Sequence, residues 1–221
     1  MEINKIYNEN CMEYMKNLQN NSIDLLLTDI PYDCINREDH GLRNLNKGKA
    51  DILTFNLKEF LENCYRITKN TIIIFCSVSQ VSTIYDYFYS NYQTHKKGTV
   101  RQLIWSKTNP SPMNGQYVYL SSIENAIWFR KPKGTFNAHC KKSVFTYPNG
   151  KSKLHPTTKN IKLIEELILD NSDENDIVFD PCCGSGTHCL AAKNLNRNFI
   201  GCEIEKDWYK IACEQVGQNI E

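Results

Sequence analysis

The chain has 221 residues, 41% apolar and 23% charged, with a formal net charge of +1. That length makes one ordinary domain with a sizeable core, and the composition excludes a disordered or fibrous chain. No apolar run approaches the roughly 20 residues of a membrane helix, and the first residues lack the apolar core of a secretory signal, so a cytoplasmic protein with no membrane partner is expected. The near-zero net charge hides an asymmetry. Residues 91–159 hold twelve Lys and Arg and a single acid, Glu124, while residues 160–221 hold five against twelve acids. A one-sided basic field of this kind attracts polyanions, nucleic acid above all. The ten cysteines include no Cys-x-x-Cys pair, so no metal site is expected and buried free thiols are the reading.

In chain order, apolar runs at 23–28, 71–76, 101–105, 124–129, 176–179 and 198–202 read as strands. Helical patterns lie between them at about 57–66, 80–90, 158–170, 187–195 and 205–216. Strands alternating with helices predict an α/β fold with a mainly parallel sheet, and continuously apolar strands predict helices on both faces. Residues 33–50 and 131–156 break the pattern and read as long loops.

The first strong strand closes on Thr28-Asp29-Ile30-Pro31-Tyr32. Asp29 and the carbonyl of Ile30 could accept the two hydrogens of an exocyclic amino group, turning its lone pair toward a methyl donor. Tyr32 could stack on the base, which must first be flipped out of a duplex. Alone, the segment also fits a proline-directed turn with a capping Asp.

Phe179-Asp180-Pro181-Cys182-Cys183-Gly184-Ser185-Gly186-Thr187 follows a strand and precedes a helix, where open α/β sheets bind ligands. Its glycines allow close backbone approach, and the helix N-terminus favours an anionic group. Seventeen residues after Gly186 stands Glu203, placed to accept from both hydroxyls of a ribose. The third fingerprint position is Cys189 and there is no Gly-Lys-Ser/Thr, so neither a dinucleotide fingerprint nor a Walker loop is complete. What remains is an adenosine-type ligand without pyrophosphate, the shape of S-adenosylmethionine. Alone, the loop also fits an ordinary tight strand-to-helix turn.

Together, these motifs resemble the beta class of S-adenosylmethionine-dependent DNA amino-methyltransferases, in the same order and over nearly the whole chain. The resemblance implies a Rossmann-like methyltransferase fold in a single domain over 1–221, with a mobile loop at about 33–55 and a short target-recognition segment within about 131–156. It implies S-adenosylmethionine as cofactor, held by Asn10, Asp29, His155, Thr157, Lys159, Asp180, Pro181, Cys182, Gly184, Ser185, Gly186, Thr187 and Glu203. Catalysis falls to Asp29, Ile30, Pro31 and Tyr32. Ile30 stands where the family has proline, Asn10 where it has an acid, Cys182-Cys183 where an aromatic residue is common, and His188 where a second threonine is common; His188 is read as local packing. Aspartate at the head of the catalytic motif is usual for adenine N6, serine for cytosine N4.

The resemblance implies a site-specific adenine methyltransferase acting on double-stranded DNA. Arg37, Arg43, Lys107, Arg130, Lys131, Lys133, Lys141 and Lys142 are its candidate phosphate contacts, with Lys96, Lys97, Arg101, Lys151 and Lys153 in the same basic field. It also raises a homodimer and a cognate restriction endonuclease as partners. The alternatives are a cytosine-N4 or RNA enzyme, a non-catalytic nucleic-acid-binding subunit, and a small-molecule methyltransferase, which leaves the basic stretch without a purpose.

Overall fold

The computed structural model describes residues 1–32, 53–112, 115–150 and 159–220. Its strands are β1 (Lys5–Tyr7), β2 (Ile23–Asp29), β3 (Thr68–Cys76), β4 (Thr99–Lys107), β5 (Ile123–Arg130), β6 (Val144–Tyr147), β7 (Ile177–Asp180) and β8 (Asn198–Cys202). Its helices are α1 (Cys11–Lys16), α2 (Leu57–Ile67), α3 (Val78–Phe88), α4 (Ile161–Asn171), α5 (Thr187–Asn194) and α6 (Lys206–Val216), with a π-turn at Tyr89–Gln93.

All eight strands form one sheet in the order β1-β8-β7-β2-β3-β5-β4-β6. Every pairing is parallel except those of β5, which runs against both β3 and β4. The apolar strands are apolar throughout because both faces are covered. Leu26, Ile72 and Ile74 pack with Met15, Phe60, Leu61 and Phe88 of α1–α3 on one face. Leu25, Leu27, Ile73 and Phe75 pack with Leu163, Leu167, Ala192 and Ala212 of α4–α6 on the other. Alternate side chains of a strand point to opposite faces, so one run feeds two cores.

Side chains fix where the helices begin. Asn10, Asn56 and Asn160 each accept a backbone N–H at the start of α1, α2 and α4, as good N-caps do. The six predicted strands and five predicted helices are present with ends shifted by up to three residues. The predicted long loop at 131–156 is a correction: it contains β6, which pairs with β4 at the sheet's edge. β1 and α1 also lie in a segment given no element from sequence. The predicted loop at 33–55 falls mostly outside the described residues. Among the described residues, no helix is long and apolar enough to cross a membrane.

Candidate active site

The carboxyl ends of β2, β3, β4, β7 and β8 share one edge of the sheet, and the reversed β5 brings its first residues to the same edge. Asp29 is the last residue of β2 and lies in register with Phe75 of β3. The chain then turns sharply. The Ile30 N–H donates to the Phe75 carbonyl at 3.2 Å, and the Ile30 side chain is fully enclosed. The Pro31 carbonyl accepts from Nε2 of the buried Gln80 at 3.0 Å, and Gln80 Oε1 accepts from the Ser77 N–H at the start of α3. The turn is thus pinned to α3, which supplies the rigidity that a second proline would give.

Tyr32 Oη donates to Asp29 Oδ1 at 2.9 Å. The buried Lys159, two residues before α4, places Nζ 2.7 Å from Asp29 Oδ2, 2.6 Å from Glu124 Oε2 and 3.3 Å from Tyr32 Oη. Lys107, at the end of β4, closes the chain at 2.6 Å from Glu124 Oε1. Burial alone would push the Lys159 ammonium down, but Asp29, Tyr32 and Glu124 overcome it and hold the pKa well above the ordinary lysine value. Burial would likewise raise Glu124, yet Lys159 and Lys107 hold it below the ordinary glutamate value. Burial, then the neighbouring Asp29 charge, keeps the Tyr32 phenol well above its usual range. The site is therefore one continuous polar chain, Lys107, Glu124, Lys159, Asp29 and Tyr32, in which Glu124 and Lys159 are held charged and Tyr32 neutral.

The second half of the site is the loop after β7. Asp180 is buried, and its Oδ1 accepts from Thr28 Oγ1 at 2.7 Å and from the Cys182 N–H at 3.1 Å. His188 Nδ1 lies 2.7 Å from Asp180 Oδ2, close in distance but not aligned as a hydrogen bond. The predicted packing role of His188 fits its burial, with Asp180 as its polar neighbour. The Cys182 thiol is pushed well above its usual pKa chiefly by its neighbour Cys11, the first residue of α1, and by burial. Gly184 and Gly186 have φ of +51° and +85°, backbone that favours glycine. A Cβ on Gly184 would meet nothing within 4 Å, whereas one on Gly186 would sit 3.0 Å from Ala212 Cβ. Gly184 borders open space and Gly186 packs α5 against α6. Glu203, just after β8, accepts from the Gly184 N–H at 2.9 Å and the Glu205 N–H at 2.8 Å. Its pKa is raised by burial, with those two donors opposing the shift. A held, half-buried carboxylate beside a glycine that borders open space is a fit site for a ribose, with Pro181, Ser185 and Thr187 completing the loop.

The predicted residues divide into four groups. Asp29, Ile30, Pro31, Tyr32 and Lys159 converge, as do Asp180, Cys182, Gly184, Ser185, Gly186, Thr187 and Glu203 at the same edge. Asn10 spends its side-chain oxygen capping α1, accepting from the Met12 N–H at 2.8 Å. Arg37, Arg43, Lys151, Lys153, His155 and Thr157 fall outside the described residues. The remaining cations are not one surface. Lys107 is tied to Glu124 inside the site, and Lys141 is held by Glu166 at 2.7 Å and Asp170 at 2.5 Å. Arg130 pairs in register with Thr71, six residues along the strand from Glu124, so Arg130, Lys131 and Lys133 sit at the opposite edge from Asp29. Lys96 and Lys97 precede β4 at that far edge, where Lys131 lies over the Tyr65 ring and burial pushes its ammonium down to about 8. Lys142 is exposed beside the start of β6.

Sequence reasoning missed Glu124 and Gln80 as site residues. Glu124 carried one visible signal, its isolation as the single acid among twelve cations. Gln80 carried none.

The family model for DNA methylases of the N6/N4 amino-methyltransferase type matches residues 23–214. The chain belongs to that family. This methylase is 34% identical to the type II methyltransferase M.HpaI of Haemophilus parainfluenzae, over 94% of its own length and 72% of the relative's. It is 28% identical to M2.MboI of Moraxella bovis, over 94% and 85%. Among solved structures, the S-adenosylmethionine complex of M1.HpyAVI matches with a TM-score of 0.72 and 31% identity, covering 96% of this chain and 98% of that one. The cytosine-N4-specific PvuII methyltransferase shares the fold at a TM-score of 0.72 and 17% identity. The Rossmann-like methyltransferase fold is thereby established, and the cofactor is S-adenosylmethionine. Glu203 and the Gly184–Gly186 loop are residues whose chemistry would suit it, a carboxylate for ribose hydroxyls and backbone that a ligand could approach closely. Bound there, the cofactor would supply an electrophilic methyl group.

Proposed function

We propose that this methylase modifies the N6 amino group of adenine at a specific sequence in double-stranded DNA. The observation that carries the reading is Asp29, a carboxylate at the head of the catalytic motif, fixed on one side by Lys159 and on the other by Tyr32. A carboxylate oxygen has lone pairs to spare after one hydrogen bond, so Asp29 can accept an amino hydrogen without giving up either partner. The Ile30 carbonyl takes the second hydrogen. With both hydrogens held, the amino nitrogen's lone pair is no longer locked into the ring's conjugation and is directed at the methyl donor. Tyr32 stacks on the flipped base. The work is positioning and electrostatics, with no covalent nucleophile.

Since the curated relatives are type II methyltransferases, the natural setting is restriction–modification, beside an endonuclease that reads the same sequence. The chain is read as one methyltransferase domain over 1–221, with a short target-recognition segment within about 131–156. The test is to incubate the purified protein with labelled S-adenosylmethionine and, in separate reactions, unmethylated duplex DNA and RNA, digest the nucleic acid and identify the labelled nucleoside. N6-methyladenine is expected. N4-methylcytosine would overturn the base assignment, and label in RNA alone would overturn the DNA assignment.

A further inference from the structure

The turn that leads into β5 is unlike the rest of the surface. Tyr117, Val118 and Tyr119 are 79%, 61% and 104% exposed, and Leu120 and Ile123 are exposed beside them. Soluble proteins rarely present such a run without a use for it. The turn is built to present it. The Gly115 N–H donates to the Pro112 carbonyl at 3.1 Å, and Leu120 folds back onto Gly115 so closely that a Cβ there would lie 2.8 Å from Leu120 Cδ2. The Ser122 N–H donates to the Leu120 carbonyl at 2.8 Å, and the Lys107 N–H donates to the Ser122 carbonyl at 2.8 Å. Leu120 thus lies against Gly115, and the two tyrosines stand out in solvent.

Two facts say what the tyrosines meet. First, the stems of the connection are Lys107 and Glu124, themselves paired at 2.6 Å and joined through Lys159 to Asp29. The tip therefore rises from the edge where the base is modified. Second, residues 108–122 contain no charged side chain at all, although the surrounding stretch is strongly basic. Phosphates are met by Lys and Arg; uncharged, aromatic surface meets base faces. A flipped base leaves a gap in the stack, and proteins fill such gaps with inserted side chains.

We propose that Tyr117 and Tyr119 enter duplex DNA beside the target base and stack in the space that the flipped base leaves. The inference rests on the DNA reading above. Its test starts by mapping the site that the wild-type protein methylates, then compares the wild type with Tyr117→Ala/Tyr119→Ala and Tyr117→Phe/Tyr119→Phe. The double alanine variant is expected to lose about tenfold or more in kcat/KM on matched duplex, as the loss of base stacking implies. The phenylalanine variant keeps most of its activity. On a duplex whose target base is mispaired, where flipping is already easy, the alanine defect shrinks to about twofold. 2-Aminopurine at the target position brightens with wild type and phenylalanine variant but not with the alanine variant, and the KM for S-adenosylmethionine is unchanged. Full activity of the alanine variant overturns the inference, as does an equal defect on matched and mispaired DNA. A loss that tracks a change in oligomeric state also overturns it, because a second copy is then the occupant. A wild type that methylates no DNA overturns the DNA reading and this role with it; a wild type that methylates DNA beside fully active variants overturns this role alone.

Discussion

Lys159→Met removes the central charge of the active site while keeping the side chain's length. In the wild type one ammonium serves two carboxylates, at 2.7 Å from Asp29 and 2.6 Å from Glu124. Removing one member of a buried ion pair costs about 3–5 kcal/mol, because the partner charge is left behind in a poorly solvated place. Two observations set the lower end of that range. Glu124 keeps Lys107 at 2.6 Å, and the Asp29 side chain retains 27% exposure to water. The expectation is therefore about 3 kcal/mol at pH 7, or a fall in Tm of about 6–12 °C for a domain of this size.

The pH dependence gives the sharper test. Glu124 has its pKa lowered in the folded wild type, so its contribution is present above the ordinary glutamate pKa and is lost as pH falls through the lowered value. Lys159 has its pKa raised, so its contribution is full below the ordinary lysine pKa and is lost only as pH rises through the raised value. In the variant, Glu124 loses one of the cations that lowered it and protonates more readily, which relieves the orphaned charge. The gap between wild type and variant must narrow as pH falls. Urea unfolding followed by tryptophan fluorescence at pH 7 and at about pH 3.5, below the ordinary glutamate pKa, measures it, and Lys159→Met/Glu124→Gln should recover part of the loss. A cost below about 1 kcal/mol, or one that is the same at both pH values, would refute the ionised chain and leave Lys159 as a packing residue.

Asp29→Ala should lower methyl transfer by about a hundredfold to a thousandfold while most of the cofactor affinity, read by calorimetry, is kept. Glu203→Gln should weaken S-adenosylmethionine binding by about tenfold, since it replaces a charge-assisted acceptor by a neutral one. In the wild type that affinity should fall on the acid side, at a pH above an ordinary glutamate's range, because burial raises Glu203; the glutamine variant should lack this limb. Gly184→Ala should lower stability by about 1–2 kcal/mol from backbone strain alone, and Gly186→Ala by more, since its Cβ also crowds Ala212 at 3.0 Å; equal losses in thermal unfolding would contradict the packing assigned to Gly186. Lys97→Glu/Lys133→Glu lies on the far edge and should leave kcat/KM on DNA and its salt slope unchanged; a flatter slope would put DNA on that edge.

How much of this was legible in the sequence depends on whether the cue was local. Leu25-Leu26-Leu27 and Ile72-Ile73-Ile74 announce buried strands by themselves, and Pro181, Gly184 and Gly186 punctuate the cofactor loop. The Asp29 turn and Glu203 were equally plain, because each follows a strand that ends sharply. β1 and β6 were not legible: runs of three and four residues are too short to show a period, and β6 lies among Lys, Pro, Gly and Asn. Partners across the sheet were hidden as well. That Lys141 is spent on Glu166 and Asp170 follows from β6 lying beside β4 on the face that α4 covers, which no spacing along the chain reveals.

The direction of β5 decides the most. Ile123 to Arg130 reads as a strand in either direction, yet a parallel β5 would have carried Arg130 and Lys131 to the edge that holds Asp29 and taken Glu124 away. The reversed strand does the opposite. It delivers one acid to a place where Lys107 and Lys159 already stand, and it sends two cations to the far side. Around the Asp29 turn, two carboxylates, Asp29 and Glu124, then stand against two ammonium groups, Lys107 and Lys159.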